Sequence, residues 1–315
     1  MRLLVLGGTR FLSHAVATEA VTRGHTVTCA ARGESGQVPT GAHLVKVDRD
    51  ADDGLDALTG DFDAVVDVAR ISFPWVRRAV DTLAGRVGHW TFVSSISVYA
   101  EPDKINDELL PPRETEDDME SYGHIKVASE NAVREAFPDA FIARAGLLTG
   151  PGDLSDRFGY WPARMSQGGQ VVTPDADQLT GYLDVRDAAT WLVDAAETQL
   201  KGTFDVTGPA VPLSNLLREM AAGFDVELVP VAEDVLVKHG VQAWMGPKSL
   251  PLWLPESHRL MASRDAGPAL AAGLKPRPLA DAVEGALAHE RAMGLDRERK
   301  AGLTAAEEAA VLAAL

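Results

Sequence analysis

The chain contains a single cysteine, Cys29, little basic charge and no long hydrophobic run. One cysteine excludes an intramolecular disulfide and leaves nothing to build a thiolate metal cage. It sits in an apolar strand-like run and is read as a buried, inert thiol. Thirty Lys and Arg face 46 Asp and Glu, for a net charge of −16 over 315 residues. No basic run exceeds Arg77-Arg78 or the mixed Arg297-Glu298-Arg299-Lys300. Nonspecific nucleic-acid binding wants a basic face, so no nucleic-acid partner is expected. No stretch reaches the roughly 18 apolar residues of a membrane span. Met1–Leu6 is also too short for a secretory signal, so a cytoplasmic protein without a membrane partner is expected. The eight histidines are scattered, with no H-x-x-x-H pair, and no metal site is expected.

What is present is an ordinary globular composition, 46% hydrophobic and 24% charged, long enough for a large core. The first half alternates short apolar runs with helical segments. Strands are expected at Leu3–Leu6, Thr26–Ala30, His43–Val47, Ala64–Val68, His89–Ser94 and Ala140–Arg144. Helices are expected at Phe11–Arg23, Pro74–Ala84 and Glu120–Phe137. Continuous apolar strands separated by helices imply an α/β fold, a Rossmann-type doubly wound parallel sheet covered on both faces. Residues 1–150 form that unit. It also receives about 182–207, through a helix near Val185–Glu197 and a strand Thr203–Val206. Residues 151–181 and 208–315, richer in Pro, Gly and Trp, are read as mainly a smaller, irregular substrate-binding cap and C-terminal helices. The tail Thr304–Leu315 is an Ala-rich helix with Thr304 and Glu307 at capping-box spacing.

The first strand runs into Gly7-Gly8-Thr9-Arg10-Phe11-Leu12-Ser13 and then a helix, the context of a dinucleotide site. Glycine lets the backbone approach a pyrophosphate, and the helix N-terminus offers free N–H groups. A G-x-x-G-x-x-G spacing from Gly7 would want glycine where Arg10 and Ser13 stand. An NAD site tends to carry an acid at the end of the second strand to hold the ribose 2′-hydroxyl. This chain reads Cys29-Ala30-Ala31-Arg32-Gly33 instead. Arg32, with Arg10, would pair with a 2′-phosphate, so NADP(H) is favoured over NAD(H).

Tyr122 and Lys126 stand four apart on one helix face. With four tyrosines and eight lysines, such a pair is expected by chance roughly 0.1 times. A carbonyl that accepts hydride needs a proton on its oxygen. Free tyrosine, with a pKa of about 10, is a poor base near neutrality, and a nearby ammonium favours the phenolate. A serine hydroxyl can hold the same oxygen.

These features resemble the extended or atypical short-chain dehydrogenase/reductases of the NAD-dependent epimerase/dehydratase type. The likeness rests on the Gly7–Ser13 turn, Asp48, Phe92-Val93-Ser94-Ser95-Ile96-Ser97-Val98-Tyr99, Tyr122-x-x-x-Lys126 and Arg144-Ala145-Gly146-Leu147-Leu148-Thr149-Gly150-Pro151-Gly152. Tyr182–Asp187 and Gly273–Leu279 resemble later family landmarks, so that the likeness covers about residues 1–293. It implies Ser95, Tyr122 and Lys126 as the catalytic set. Gly7, Thr9, Arg10, Phe11, Leu12, Arg32, Asp48, Ala69, Lys126 and Leu147 would line the cofactor, with Asp48 at adenine and Leu147 by the nicotinamide. Relatives dimerise through the helices flanking the active-site half, which makes a homodimer the arrangement to test. The Arg144–Leu148 segment lacks the asparagine of the family's sugar-nucleotide epimerases, which argues against a UDP-sugar substrate.

The small-molecule substrate is expected at Arg157, Tyr160 and Trp161, where the cap begins, with cap-core packing as the alternative, even for Trp161; Trp244 and Trp253 either line the same pocket or fill the cap. Arg186 and Asp187 read as an ion pair with each other, His124 as a surface residue, and the acidic cluster Glu114–Glu120 as a solvated loop. The expected activity is hydride transfer to or from a carbonyl or alcohol. An epimerase with transient redox is the alternative, and a cofactor-sensing or RNA-associated relative the second.

Overall fold

The computed structural model describes residues 1–69, 71–105, 107–115 and 119–315. Of the acidic cluster, Glu116, Asp117 and Asp118 lie outside the described residues. Seven parallel strands form the central sheet. They are β1 (Arg2–Leu6), β2 (Thr26–Ala31), β3 (His43–Lys46), β4 (Phe62–Asp67), β5 (Val87–Ser95), β6 (Phe141–Ala145) and a last strand, Gly202–Val206. Their spatial order is β3-β2-β1-β4-β5-β6 followed by Gly202–Val206. The order reverses between β1 and β4, the switch point where doubly wound sheets bind ligands.

The strands are apolar on both sides because both faces are covered. Along β1, Leu3 and Val5 join the core formed with α1 (Phe11–Thr22) and the later helix Val185–Thr198. Leu4 and Leu6 join the opposite core, with α2 (Phe73–Leu83) and Val133 of α3 (Tyr122–Ala136). This two-residue alternation is that of a strand with two buried faces. Helix ends follow their signals: Gly24, at φ 81°, closes α1, and α3 stops just before Pro138.

The cap has more regular structure than its sequence suggests. A parallel strand pair, Gly169–Asp175 with Val226–Ala232, packs with helices Arg157–Met165, Leu213–Ala221, Leu279–Met293 and Ala305–Leu312. Phe158, Tyr160, Trp161, Leu213, Leu217 and Trp253 form its own core. Short strands and a proline inside the first of these helices, Pro162, hide that order from any periodicity analysis. The terminal helix carries the expected capping box, Thr304 and Glu307 satisfying each other's backbone donors. The segment around 267–274 packs on the sheet unit: Ala269 and Leu274 lie in its core, and the Trp191 indole donates to the Ala272 carbonyl at 3.1 Å.

Candidate active site

The expected cofactor residues follow the carboxyl ends of successive strands: Gly7 after β1, Arg32 after β2, Asp48 after β3, Ala69 after β4 and Leu147 after β6. Gly7 and Gly8 adopt φ of 132° and 103°, open to glycine and strained for other residues. A Cβ on Gly8 would lie 2.4 Å from the Cys29 sulfur, so the buried thiol packs directly beneath the turn. Burial pushes that thiol up to about 11, consistent with an inert cysteine.

The geometry explains why the glycine pattern tolerates two replacements. Arg10 has extended backbone, φ −145° and ψ 146°, which any residue can adopt. Ser13 is small, donates its hydroxyl to the Arg10 carbonyl at 2.8 Å, and leaves 3.0 Å to a hypothetical Gly7 Cβ. The strain falls on Phe11, whose φ is 40°. The first turn of α1 has no side-chain cap and no acid, so its N–H groups face outward without an anionic competitor. Thr9 is close-packed, its carbonyl only 2.6 Å from a hypothetical Cβ on Gly36. Leu12 is buried in the sheet core, so that it can offer a ligand only its backbone. This turn fits a dinucleotide pyrophosphate.

Arg10, Arg32 and Asp48 are exposed. Arg32 lies 3.9 Å from Glu34 and 3.8 Å from Asp50, too far for hydrogen bonds, so a phosphate could displace both. Sequence reasoning missed the buried pair beneath this edge. Arg49 donates to both Asp67 oxygens at 2.8 and 3.2 Å and to the Trp75 carbonyl at 2.8 Å. The Ala69 N–H donates to Asp67 at 3.1 Å, which shapes the loop after β4.

Tyr122 opens α3 and Lys126 follows one turn later. The Lys126 ammonium is buried and donates to the Ala69 carbonyl at 2.5 Å and the Val93 carbonyl at 2.8 Å. It lies 4.9 Å from the Phe92 ring centre and 5.9 Å from that of Tyr122. Ser95 ends β5, and its hydroxyl donates to Ser97 Oγ and accepts the Ser97 N–H, both at 3.1 Å. Gly123 lets the segments meet, since a Cβ there would lie 2.1 Å from the Ser97 carbonyl. The fold thus brings the Ser95–Ser97 end of β5, Tyr122 and Lys126 together.

A buried network, also missed, fixes α3 against β5 and β6. Glu130, one turn beyond Lys126 and fully buried, accepts from Ser94 at 2.6 Å and from two Arg144 nitrogens at 2.9 and 2.8 Å. Arg144 continues to the Tyr99 hydroxyl at 3.1 Å, which donates to Asp205 at 2.8 Å. Only long-range pairing creates this chain.

Of the expected cap residues, Arg157 opens the helix Arg157–Met165 and lies within electrostatic reach of Tyr122. Tyr160 and Trp161 are both buried in the cap core, the Trp161 indole donating to the Pro251 carbonyl at 3.0 Å. Trp253 is likewise buried, bonded to Glu233 at 3.0 Å. Leu147 buries its side chain in the cap core, and its carbonyl accepts from Leu183 at 2.9 Å. Arg186 and Asp187 do not pair with each other. Arg186 binds Asp184 at 2.7 Å and Asp187 binds Arg277 at 2.8 Å. His124 sits at the surface, its ring 2.6 Å from the Pro111 carbonyl.

Among known proteins, the model of the NAD dependent epimerase/dehydratase family matches residues 3–206. The chain belongs to that family. It is similar to several solved structures over nearly its whole length. WbmH of Bordetella bronchiseptica, in complex with NAD+, is 18% identical with a TM-score of 0.64, over 93% of this chain and 99% of that one. The UDP-N-acetylglucosamine 4-epimerase of Bacillus cereus is 18% identical with a TM-score of 0.62, over 95% and 98%. At these identities the likeness establishes the Rossmann-like fold. A curated relative, "Probable low-salt glycan biosynthesis reductase Agl14" of Haloferax volcanii, is 33% identical over 91 residues, 28% of this chain and 30% of that protein.

The Glu130 network generates a test. Burial raises the Glu130 carboxyl, but the Arg144 contacts, with Ser94 and Arg134, outweigh it and hold it below its ordinary range. A depressed native value stabilises the fold above the unfolded value of about 4.3 and is lost as pH falls through the native one. Glu130→Gln leaves Arg144 without its counter-ion and is expected to cost about 3–5 kcal/mol at neutral pH. Its loss of stability below about pH 4 should be shallower than wild type. Denaturant titrations across pH measure both, and unchanged stability at pH 7 would contradict the network's role.

Proposed function

We propose that the protein is an NAD(P)-dependent oxidoreductase acting on the carbonyl or alcohol of a small molecule, with NADP(H) preferred. The observation that carries this reading is the Lys126 ammonium, one turn along α3 from Tyr122 and anchored on the Ala69 carbonyl after β4 and the Val93 carbonyl of β5. When bound, the nicotinamide supplies or takes up the hydride. Gly7, the outward N–H groups at the start of α1, Arg10, Arg32 and Asp48 would hold the dinucleotide. On reduction, Tyr122 gives its phenolic proton to the substrate oxygen; on oxidation it takes that proton back. Lys126 favours the phenolate this requires, and the Ser95 hydroxyl holds the oxygen in place.

Two sequence features support net redox chemistry. Ile96 and Ser97 follow Ser95, so the segment lacks the carboxylate a dehydratase would place there. The Arg144–Leu148 segment lacks the asparagine of sugar-nucleotide epimerases. The NADP(H) preference rests on Arg32, exposed at the end of β2 in place of an acid. Epimerisation with transient redox is the second reading, favoured by the family itself. A cofactor that stays bound through purification and never exchanges would support it.

Tyr122→Phe is expected to lower turnover about 10²–10⁴-fold in a carbonyl-reduction assay, with cofactor affinity within about twofold of wild type. Near-normal turnover would remove Tyr122 from the chemistry. Arg32→Ala should weaken NADPH about tenfold or more and leave NADH nearly unchanged. Equal losses for both cofactors, measured by nicotinamide fluorescence, would refute the phosphate role.

A further inference from the structure

Arg157 opens the helix Arg157–Met165, just after a bend that the structure holds firmly. Asp156 sits in the left-handed region, φ 61° and ψ 12°, unusual for a residue with a side chain. Its carboxylate is clamped by two Arg297 nitrogens and by the Lys300 N–H at 2.7 Å. Buried Glu290 shares that cluster, accepting from Arg297 at 2.9 Å and Arg299 at 2.6 Å. The charges of Arg297 and Arg299 are therefore consumed in fixing the bend.

The charge of Arg157 is not consumed in this way. Its Nε donates to the Ser155 hydroxyl at 3.1 Å, and its guanidinium carbon lies 4.9 Å from the centre of the Trp244 ring. It makes no ion pair among the described residues. Burial holds it below its ordinary range even though Asp153 and Tyr122 both act to raise it. Asp153 is not its direct partner: that carboxyl accepts the Ser155 N–H at 2.8 Å, and burial holds it above its usual range. Trp244 is itself held at φ 72°, a strained backbone for an aromatic residue, and is half-buried. A half-buried guanidinium laid on an indole, with no hydrogen bond from either terminal nitrogen among the described residues, is shaped for a bidentate oxyanion.

We propose that Arg157, supported on Trp244, recognises an oxyanion on the substrate, so that the substrate class is a small carbonyl or alcohol compound bearing a carboxylate or a phosphate ester. The placement of that anion beside the reacting oxygen rests on the oxidoreductase reading; the anion site itself does not.

The test is calorimetric titration of the protein with oxalate and, separately, with inorganic phosphate. It is run with and without saturating NADPH, which blocks anion binding at the glycine turn. Wild type is expected to bind at least one anion with a Kd of about 1 mM or tighter in the presence of NADPH. Preference for oxalate assigns an acid substrate, and preference for phosphate a phosphorylated one. Arg157→Leu should weaken binding at least about tenfold. Arg157→Lys should keep part of it, having the charge without the fork. If Arg157→Leu does not fold, judged by thermal melting, Arg157→Lys and Trp244→Leu carry the comparison, each several-fold weaker than wild type. No binding by wild type, or equal binding by the folded Arg157 variants, would overturn the proposal. Anion binding without any nicotinamide binding would sink the oxidoreductase reading and leave this site standing.

Discussion

The site depends on one buried charge. The Lys126 ammonium is 3% exposed and is solvated by the protein, through the carbonyls of Ala69 and Val93. An ammonium moved out of water costs several kcal/mol unless such groups replace the lost hydration. The two carbonyls come from the loop after β4 and from β5, so satisfying the charge draws α3 onto adjacent strands of the sheet. One turn further along, Glu130 repeats the arrangement with Ser94 and Arg144. Two consecutive turns of α3 are thus fixed by polar contacts to named strands, and Tyr122 at the start of the helix takes its position from them. Gly123 completes the constraint, because only glycine lets the helix start approach the Ser97 carbonyl so closely.

The glycine turn follows a different logic. Its two missing glycines fall where the backbone does not need them: Arg10 is extended and Ser13 needs only to be small. The need for glycine resides instead at Gly8, above the Cys29 thiol, and the strain at Phe11. The replacement at position 10 places a long cation at the mouth of the turn, where glycine would leave none. A motif that looks degraded as a pattern of letters is therefore sound as a backbone.

What could be read from the sequence was whatever depends on local periodicity and spacing. The six early strands, the helices α1 to α3 and the return of Val185–Val206 to the sheet all follow from apolar runs punctuated by Gly and Pro. The Thr304–Glu307 cap and the Tyr122–Lys126 pair follow from three- and four-residue spacing. What could not be read depends on partners far apart in the chain. Arg49 with Asp67, Glu130 with Arg144, and Asp156 with Arg297 are buried pairs that no local signal announces. Arg186 and Asp187, adjacent in sequence, take other partners: Arg186 pairs with Asp184, two residues back, and Asp187 with the distant Arg277. Tyr160 and Trp161 lie in the cap's own core, the alternative that composition left open, because composition cannot tell a core aromatic from a pocket wall.

The central claim is that this turn, strand ends and anchored lysine form a working nicotinamide site. The most direct test is titration of the purified protein, freed of any co-purified cofactor, with NADPH and NADH, followed by nicotinamide fluorescence. The account predicts saturable binding of both, tighter for NADPH, with the bound cofactor free to exchange. Failure to bind either would contradict it.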